Sequence, residues 1–145
     1  MLTFEIMTGL GIMVLTIIFH ALFMMSGVQA AEWRRFRFGP VGTALGKAVL
    51  LSSLTVWMFL AIVIEVGLWA LLYLFNPSIT ALPDLETAFY FSMVTFTTLG
   101  YGDVVLTGQW RTLASIQAAN GVIIFGWTTA LIFYFIQKIY QKEKV

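Results

Sequence analysis

The run Thr97-Thr98-Leu99-Gly100-Tyr101-Gly102-Asp103 alternates glycine with larger residues over a short distance. Because glycine readily adopts positive φ, such an alternating backbone can point successive carbonyl groups in the same direction. A row of carbonyl oxygens that faces one axis, and is repeated around it, replaces the hydration shell of a cation. The Thr98 hydroxyl adds a further oxygen at the end of the row. The pattern therefore predicts a binding site for dehydrated cations.

The composition indicates a membrane protein. Of the 145 residues, 60% are hydrophobic and 10% are charged, whereas a soluble domain is about 45–50% apolar and about 25% charged. The net charge of +1 gives no electrostatic footprint for nucleic acid. The chain has no cysteine and one histidine, which excludes disulfides, thiolate metal sites and a multi-histidine cluster within one chain. We expect a single domain without a resident cofactor.

Three long apolar runs divide the chain, at about 6–27, 48–75 and 112–137. Each exceeds the roughly 20 residues that an α-helix needs to cross the hydrocarbon core of a bilayer. The first run lacks the basic flank of a signal peptide, so we expect it to be retained as a helix. A fourth apolar stretch, 85–96, would rise only about 18 Å as a helix and is too short to span.

The short stretch 85–97 is predicted to be a re-entrant helix. Asp84 can cap the free N–H groups of its first turn, where Glu86 adds a favourable charge. A helix that runs inward directs the negative end of its dipole toward the middle of the membrane, which stabilises a cation at 98–102. The predicted fold is therefore an all-α membrane protein with three transmembrane helices, this re-entrant helix and the segment 98–102.

Basic residues set the predicted orientation. Seven of the eight lysines and arginines lie within 28–47 or near the C-terminus, and cytoplasmic loops are enriched in such residues. We therefore expect the N-terminus outside, the C-terminus in the cytoplasm and the chain in the plasma (inner) membrane. The linker 28–47 is predicted to be a basic interfacial segment on the cytoplasmic surface, or alternatively only a topology signal. The seven residues are Arg34, Arg35, Arg37, Lys47, Lys138, Lys142 and Lys144.

The segment Thr98-Leu99-Gly100-Tyr101-Gly102 resembles the selectivity filter of the potassium channel family, which is usually Thr-Val-Gly-Tyr-Gly. The resemblance extends from Lys47 to Tyr140. It implies a homotetramer in which four filter segments hold potassium ions on the four-fold axis and conduct them passively down their electrochemical gradient. The implied partners are potassium ions, the lipid bilayer and further copies of the chain.

The resemblance also implies roles outside the filter. Thr97, Asp103 and Tyr90 would support it; many members have a tryptophan at the position of Tyr90, whose hydroxyl could reach Asp103. Gly121 falls at the position of a hinge in the inner helix, although close helix packing is an alternative reason for a glycine there. For Phe133 the alternative to a gate is packing against a neighbouring helix. The implied cavity and gate residues are Val122, Phe125, Thr129 and Phe133.

Some positions depart from the family pattern. Leu99 replaces the usual valine, and a different side chain behind the filter can alter its stiffness and selectivity. Val94 stands where one subgroup has a glutamate that bonds to the filter aspartate, so that contact cannot form. The first span, 6–27, has no equivalent in the two-helix architecture, and without Lys or Arg it is not a voltage sensor.

Glu65 is the acidic residue inside a predicted span, and such residues indicate a functional contact. It lies about 15 Å from the end of its helix, a depth similar to that of Asn120 in the last span. We therefore predict a Glu65–Asn120 hydrogen bond that braces the last span near Gly121; a protonated Glu65 bonded to a backbone carbonyl is the alternative. His20 is predicted to be neutral, packed between helices or reaching the interface, with a pH sensor as the alternative.

No catalytic constellation is visible, because Asp84 and Glu86 are two residues apart at a helix start and therefore do not face each other. We therefore expect a potassium-selective channel rather than an enzyme. Two alternatives stay open: a weakly selective cation channel of the same fold, and a non-conducting membrane subunit that assembles with other proteins. Tyr101 argues against the first, because non-selective relatives often change that position, and an intact filter argues against the second.

Overall fold

The computed structural model describes the backbone of residues 2–38 and 42–140. The helices are α1 (Leu2–Phe38), α2 (Ala44–Leu74), α3 (Leu85–Phe96) and α4 (Arg111–Tyr140), with a short 3-10 turn before α4. No β-strand occurs within these two ranges. Helices α1, α2 and α4 are long and apolar enough to cross a membrane. The prediction of an all-α membrane protein is thus confirmed.

Helix α1 is longer than the span predicted at 6–27. It continues through Arg34 to Phe38, inside the segment predicted as an interfacial linker. The reason is local, because no glycine or proline occurs between Val28 and Phe38 to end the helix. Its 37 residues rise about 55 Å, whereas the hydrocarbon core is about 30 Å thick. The arginines of this region are therefore carried on a continuous helix that projects beyond the hydrocarbon.

Helix α3 begins at the cap predicted from the sequence. The Asp84 side chain accepts a hydrogen bond from the Thr87 backbone N–H at 2.8 Å, and Glu86 lies in the first turn. The Thr87 N–H stabilises the charged carboxylate and so lowers the pKa of Asp84. At the other end, the Thr97 N–H bonds to the Met93 carbonyl and closes the helix. The helix is therefore fixed in length by its own caps.

The hydrophobic core is divided between two levels of the bundle. The larger cluster surrounds α3, where α2 and α4 cover it and part of α1 packs against it. A second, smaller cluster joins α2 to the far half of α4 through Leu54, Met58, Leu131 and Phe135. The large side chains fully buried around α3 include Trp69, Tyr73, Phe96, Leu113 and Ile124. Helix α3 is thus held between the two long helices.

Gly121 marks the closest approach between α3 and α4. A Cβ added at Gly121 would lie 1.8 Å from the Phe96 carbonyl oxygen and 2.8 Å from its carbonyl carbon. The last residue of α3 therefore rests in a hollow on α4 that only glycine leaves open. This close packing is the alternative considered for Gly121 from the sequence. A hinge at this residue would have to separate the α3–α4 contact.

We expect Gly121→Ala to lower stability by about 1–3 kcal/mol, the usual cost of overpacking a core, because the Phe96 carbonyl must move. Gly126→Ala is the matched control on the same helix, since a Cβ at Gly126 meets nothing within 4 Å. Because alanine has the higher helix propensity, Gly126→Ala should raise the stability by up to about 1 kcal/mol. Thermal unfolding of the purified proteins in detergent measures both effects. A Tm for Gly121→Ala equal to or above that of wild type would contradict the packing.

Candidate functional site

The segment 98–102 has the alternating backbone predicted from its sequence. Thr98, Gly100 and Gly102 have φ of 59°, 54° and 80°, while the residues between them do not have positive φ. Both glycines adopt this region without steric cost. Thr98 is β-branched, and positive φ at such a residue is a strained conformation. The segment therefore needs contacts that hold it.

The first of these contacts come from the end of α3. The Val94 carbonyl accepts hydrogen bonds from the N–H groups of Leu99 at 3.0 Å and Gly100 at 3.3 Å, and the Thr98 N–H bonds to the Thr95 carbonyl. These bonds are made by backbone atoms on both sides of the strained residue. The Val94 side chain has no carboxylate to bond to Asp103, but the Val94 backbone carbonyl anchors the segment. Strain of about 1–3 kcal/mol at Thr98 is thus offset by local bonding.

The second contact holds the far end of the segment. The Tyr90 hydroxyl donates a hydrogen bond to Asp103 Oδ2 at 2.7 Å, so the predicted contact between these residues is present. This bond stabilises the carboxylate and lowers the pKa of Asp103. Tyr90 acts through its side chain, whereas Val94 and Thr95 act through the free backbone carbonyls at the end of α3. Helix α3 therefore anchors both ends of 98–103.

Thr97 supports the join between α3 and the segment. Its hydroxyl donates to the carbonyl of Met93 at 2.9 Å and lies 3.2 Å from that of Val94. The hydroxyl therefore bonds to carbonyls of the last turn of α3 and not to those of the segment 98–102. The filter-supporting role of Thr97 stays a prediction.

A buried polar network that the sequence analysis did not identify fixes α3 to its neighbours. Gln117 on α4 accepts a hydrogen bond from the Tyr73 hydroxyl of α2 at 2.8 Å. Its amide nitrogen donates to the Ser92 hydroxyl of α3 at 2.5 Å. All three side chains are fully buried. Gln117 thus joins three helices, and its presence in an apolar span was the available signal.

The residues assigned to the cavity and gate share one face of α4. Val122, Phe125 and Phe133 are 60%, 36% and 58% exposed, and Thr129 is exposed between them. The opposite face of α4 packs against the rest of the chain through residues that include Asn120 and Ile124. The four residues are therefore brought together on an open face of the chain. Their part in a gate stays a prediction.

The hydrogen bond predicted between Glu65 and Asn120 is wrong. Glu65 Oε1 lies 2.9 Å from His20 Nδ1, while Asn120 Nδ2 donates to the Thr16 hydroxyl at 2.7 Å. Depth matching compared α2 with α4 only, but α1 supplies a partner to each of them. The other ring nitrogen of His20 lies 3.3 Å from the Thr128 hydroxyl. His20 is fully buried and packed between helices.

Comparison with models of known protein families matches residues 55–138 to the model described as an ion channel. The match begins within α2, covers α3 and the segment 98–102, and ends near the end of α4. It therefore includes more than half of the chain and leaves α1 outside. Searches among curated proteins and among solved structures give no match.

We expect Tyr90→Phe to raise the pKa of Asp103 toward the ordinary aspartate value of about 3.9, because the charged carboxylate loses its donor. Asp84 is the internal control, since it is the other aspartate of the chain and is capped by its own helix. Titration of carboxyl signals by NMR after ¹³C-aspartate labelling follows both residues in one sample. An unchanged Asp103 midpoint in the variant would contradict the contact, and a shifted Asp84 midpoint would indicate a wider change.

Proposed function

The chain belongs to this ion channel family, and we propose that it is a potassium-selective channel through which potassium moves passively down its electrochemical gradient. The observation that carries the proposal is the segment Thr98-Leu99-Gly100-Tyr101-Gly102, whose alternating φ accompanies a sequence typical of potassium filters. Its carbonyl groups and the Thr98 hydroxyl would replace the water around the ion. Anchoring at both ends by α3 supports the spacing that this requires.

We further propose that four copies of the chain close the pore. In one chain the Tyr101 and Leu99 side chains are 68% and 55% exposed. Irregular backbone at membrane depth is tolerated only where it is buried in protein or lines a water-filled cavity. A single copy provides neither on the open side of 98–102. Neighbouring copies would cover these side chains and place the open faces of α4 around one axis.

The helix dipole of α3 supports the same site. Its C-terminus lies immediately before Thr98, so the negative end of the dipole is directed at ions that leave the carbonyl row. With the basic residues on the cytoplasmic side, the Asp103 end of the segment faces the outside. The proposed orientation therefore places the filter in the outer half of the plasma membrane and the open face of α4 below it.

Potassium and sodium fluxes into liposomes containing the purified protein test the proposal. We expect potassium flux with little sodium flux from the wild type. Gly102→Ala is expected to abolish flux or its selectivity, because a Cβ at φ of 80° costs about 1–2 kcal/mol in each copy. Gly11→Ala is the control, since that glycine lies on α1 with nothing within 4 Å of an added Cβ.

Three other outcomes of the flux measurements would contradict the proposal. Comparable potassium and sodium fluxes would replace the proposal by a weakly selective cation channel, in which Leu99 alters the filter. No flux from a tetramer of native mass would indicate a non-conducting membrane subunit. Selectivity like that of the wild type in Gly102→Ala would refute the filter assignment itself.

A further inference from the structure

The residues that α1 buries form one stripe of polar and small side chains. Its buried positions follow one another at intervals of four and seven residues, which keeps them on one face of the helix. In a membrane, such residues let helices approach closely and bond to each other. The stripe consists of Glu5, Gly9, Thr16, His20 and Gly27. The rest of α1 is largely apolar; part of it, including Met13 and Met24, packs against the core clusters, and the remainder is exposed. The stripe is therefore the fully buried part of the contact that α1 makes with the bundle.

Three residues of the stripe, together with Glu32, place α1 against α4 along most of the length of both helices, whereas Gly27 lies against Trp57 of α2. The contacts occur at four successive levels, and two of them are hydrogen bonds between fully buried or part-buried side chains. At the last level an ion pair of 2.8 Å joins the two helices. At the first level the helices are so close that a Cβ added at Gly9 would lie 2.9 Å from the Leu113 side chain. The pairs are Gly9 with Leu113, Thr16 with Asn120, His20 with Thr128 and Glu32 with Lys138.

His20 occupies the central position because its two ring nitrogens bond to different helices. Nδ1 contacts Glu65 of α2 and Nε2 contacts Thr128 of α4. A net charge in hydrocarbon is costly, so the pair with Glu65 stays neutral overall, with one proton between Nδ1 and Oε1. In either position of that proton, Nε2 carries the other hydrogen and donates it to the Thr128 hydroxyl. The bridge to α4 therefore survives proton transfer within the pair.

The bond from Thr16 reaches the side of α4 opposite to its open face, and the bond from His20 reaches the flank of that face. The open face carries apolar side chains, and Val122 and Phe133 are each more than half exposed. When four such faces surround one axis, the hydrophobic effect draws them together, and an apolar constriction closes a pore by expelling water. We propose that α1 is a strut that opposes this closure, because Thr16 and His20 retain α4 away from the axis. The inference rests on the proposed channel function.

The central test compares two substitutions of His20 in the full chain. His20→Leu fills a similar space without a polar atom, whereas His20→Gln keeps one donor and one acceptor for Thr128 and Glu65. Single-channel recording in planar bilayers gives the open probability, the unitary conductance and the potassium-to-sodium permeability ratio. We expect His20→Leu to lower the open probability at least about fivefold, the factor equivalent to one typical hydrogen bond. Conductance and permeability ratio should stay unchanged, and His20→Gln should restore much of the open probability.

A milder pair of variants keeps the test decisive if His20→Leu does not assemble. Thr128→Val removes only the hydroxyl that His20 contacts, and the shape of the side chain is preserved. Thr55→Val is its matched control, because the Thr55 hydroxyl bonds only within its own helix, to the Leu51 carbonyl at 2.9 Å. We expect a lowered open probability for Thr128→Val and a wild-type value for Thr55→Val.

The outcomes separate the strut from the channel function. A wild-type protein without potassium current would overturn the proposed function. A conducting wild type, with an unchanged or higher open probability in both His20→Leu and Thr128→Val, would overturn the strut alone. An equal loss in Thr55→Val would also overturn it, because any lost hydroxyl would then act alike. Size-exclusion chromatography confirms that each measured variant has the mass of the wild-type assembly.

Discussion

Inside a bilayer no water is present to bond a peptide group, so every backbone turn at membrane depth needs partners from the protein. The segment that follows α3 meets this constraint with bonds to α3 itself. The carbonyls of Val94 and Thr95 accept from three successive N–H groups. The short helix is thus more than a lead into the segment, because it supplies the acceptors that make irregular backbone tolerable there. Its position then determines the position of the carbonyl row.

The same constraint explains why α3 is held by polar as well as apolar contacts. Gln117 connects it to α2 and α4 in the middle of the apolar cluster, and Gly121 lets its last turn approach α4. The network sets the rotation of α3, since Ser92 must face Gln117. The Tyr90 hydroxyl is consequently directed at Asp103. Anchoring of the segment therefore depends on side chains well away from it.

Much of the fold could be predicted from sequence because the decisive signals are local. Hydropathy predicted the three long helices, and Asp84 predicted the start of α3. The alternating glycines predicted the alternating φ angles of 98–102. The contact between Tyr90 and Asp103 followed from the family resemblance, because many members have a tryptophan at the position of Tyr90.

The partners of Glu65 and Asn120 could not be obtained in this way. Hydropathy treats α1 as a uniform apolar run, so its polar residues were assigned no direction, and depth alone cannot choose between two neighbouring helices. The four-and-seven spacing that includes Thr16 and His20 is the signal that could have found them. Gly121 is a different case, since glycine serves both a hinge and a close contact, and only the position of the Phe96 carbonyl distinguishes the two.

The hollow at Gly121 has a consequence for how the chain is made. Synthesis proceeds from the N-terminus, so α3 leaves the ribosome before the helix that contains its seat. The segment 98–102 therefore lacks a complete binding surface until α4 has entered the membrane. For the same reason Thr16 and His20 cannot form their hydrogen bonds to α4 at first, because Asn120 and Thr128 are synthesised about a hundred residues later. Helix α4 thus completes the contacts of both α3 and α1, and a chain cut short within α4 would leave the segment 98–102 without part of the surface that positions it.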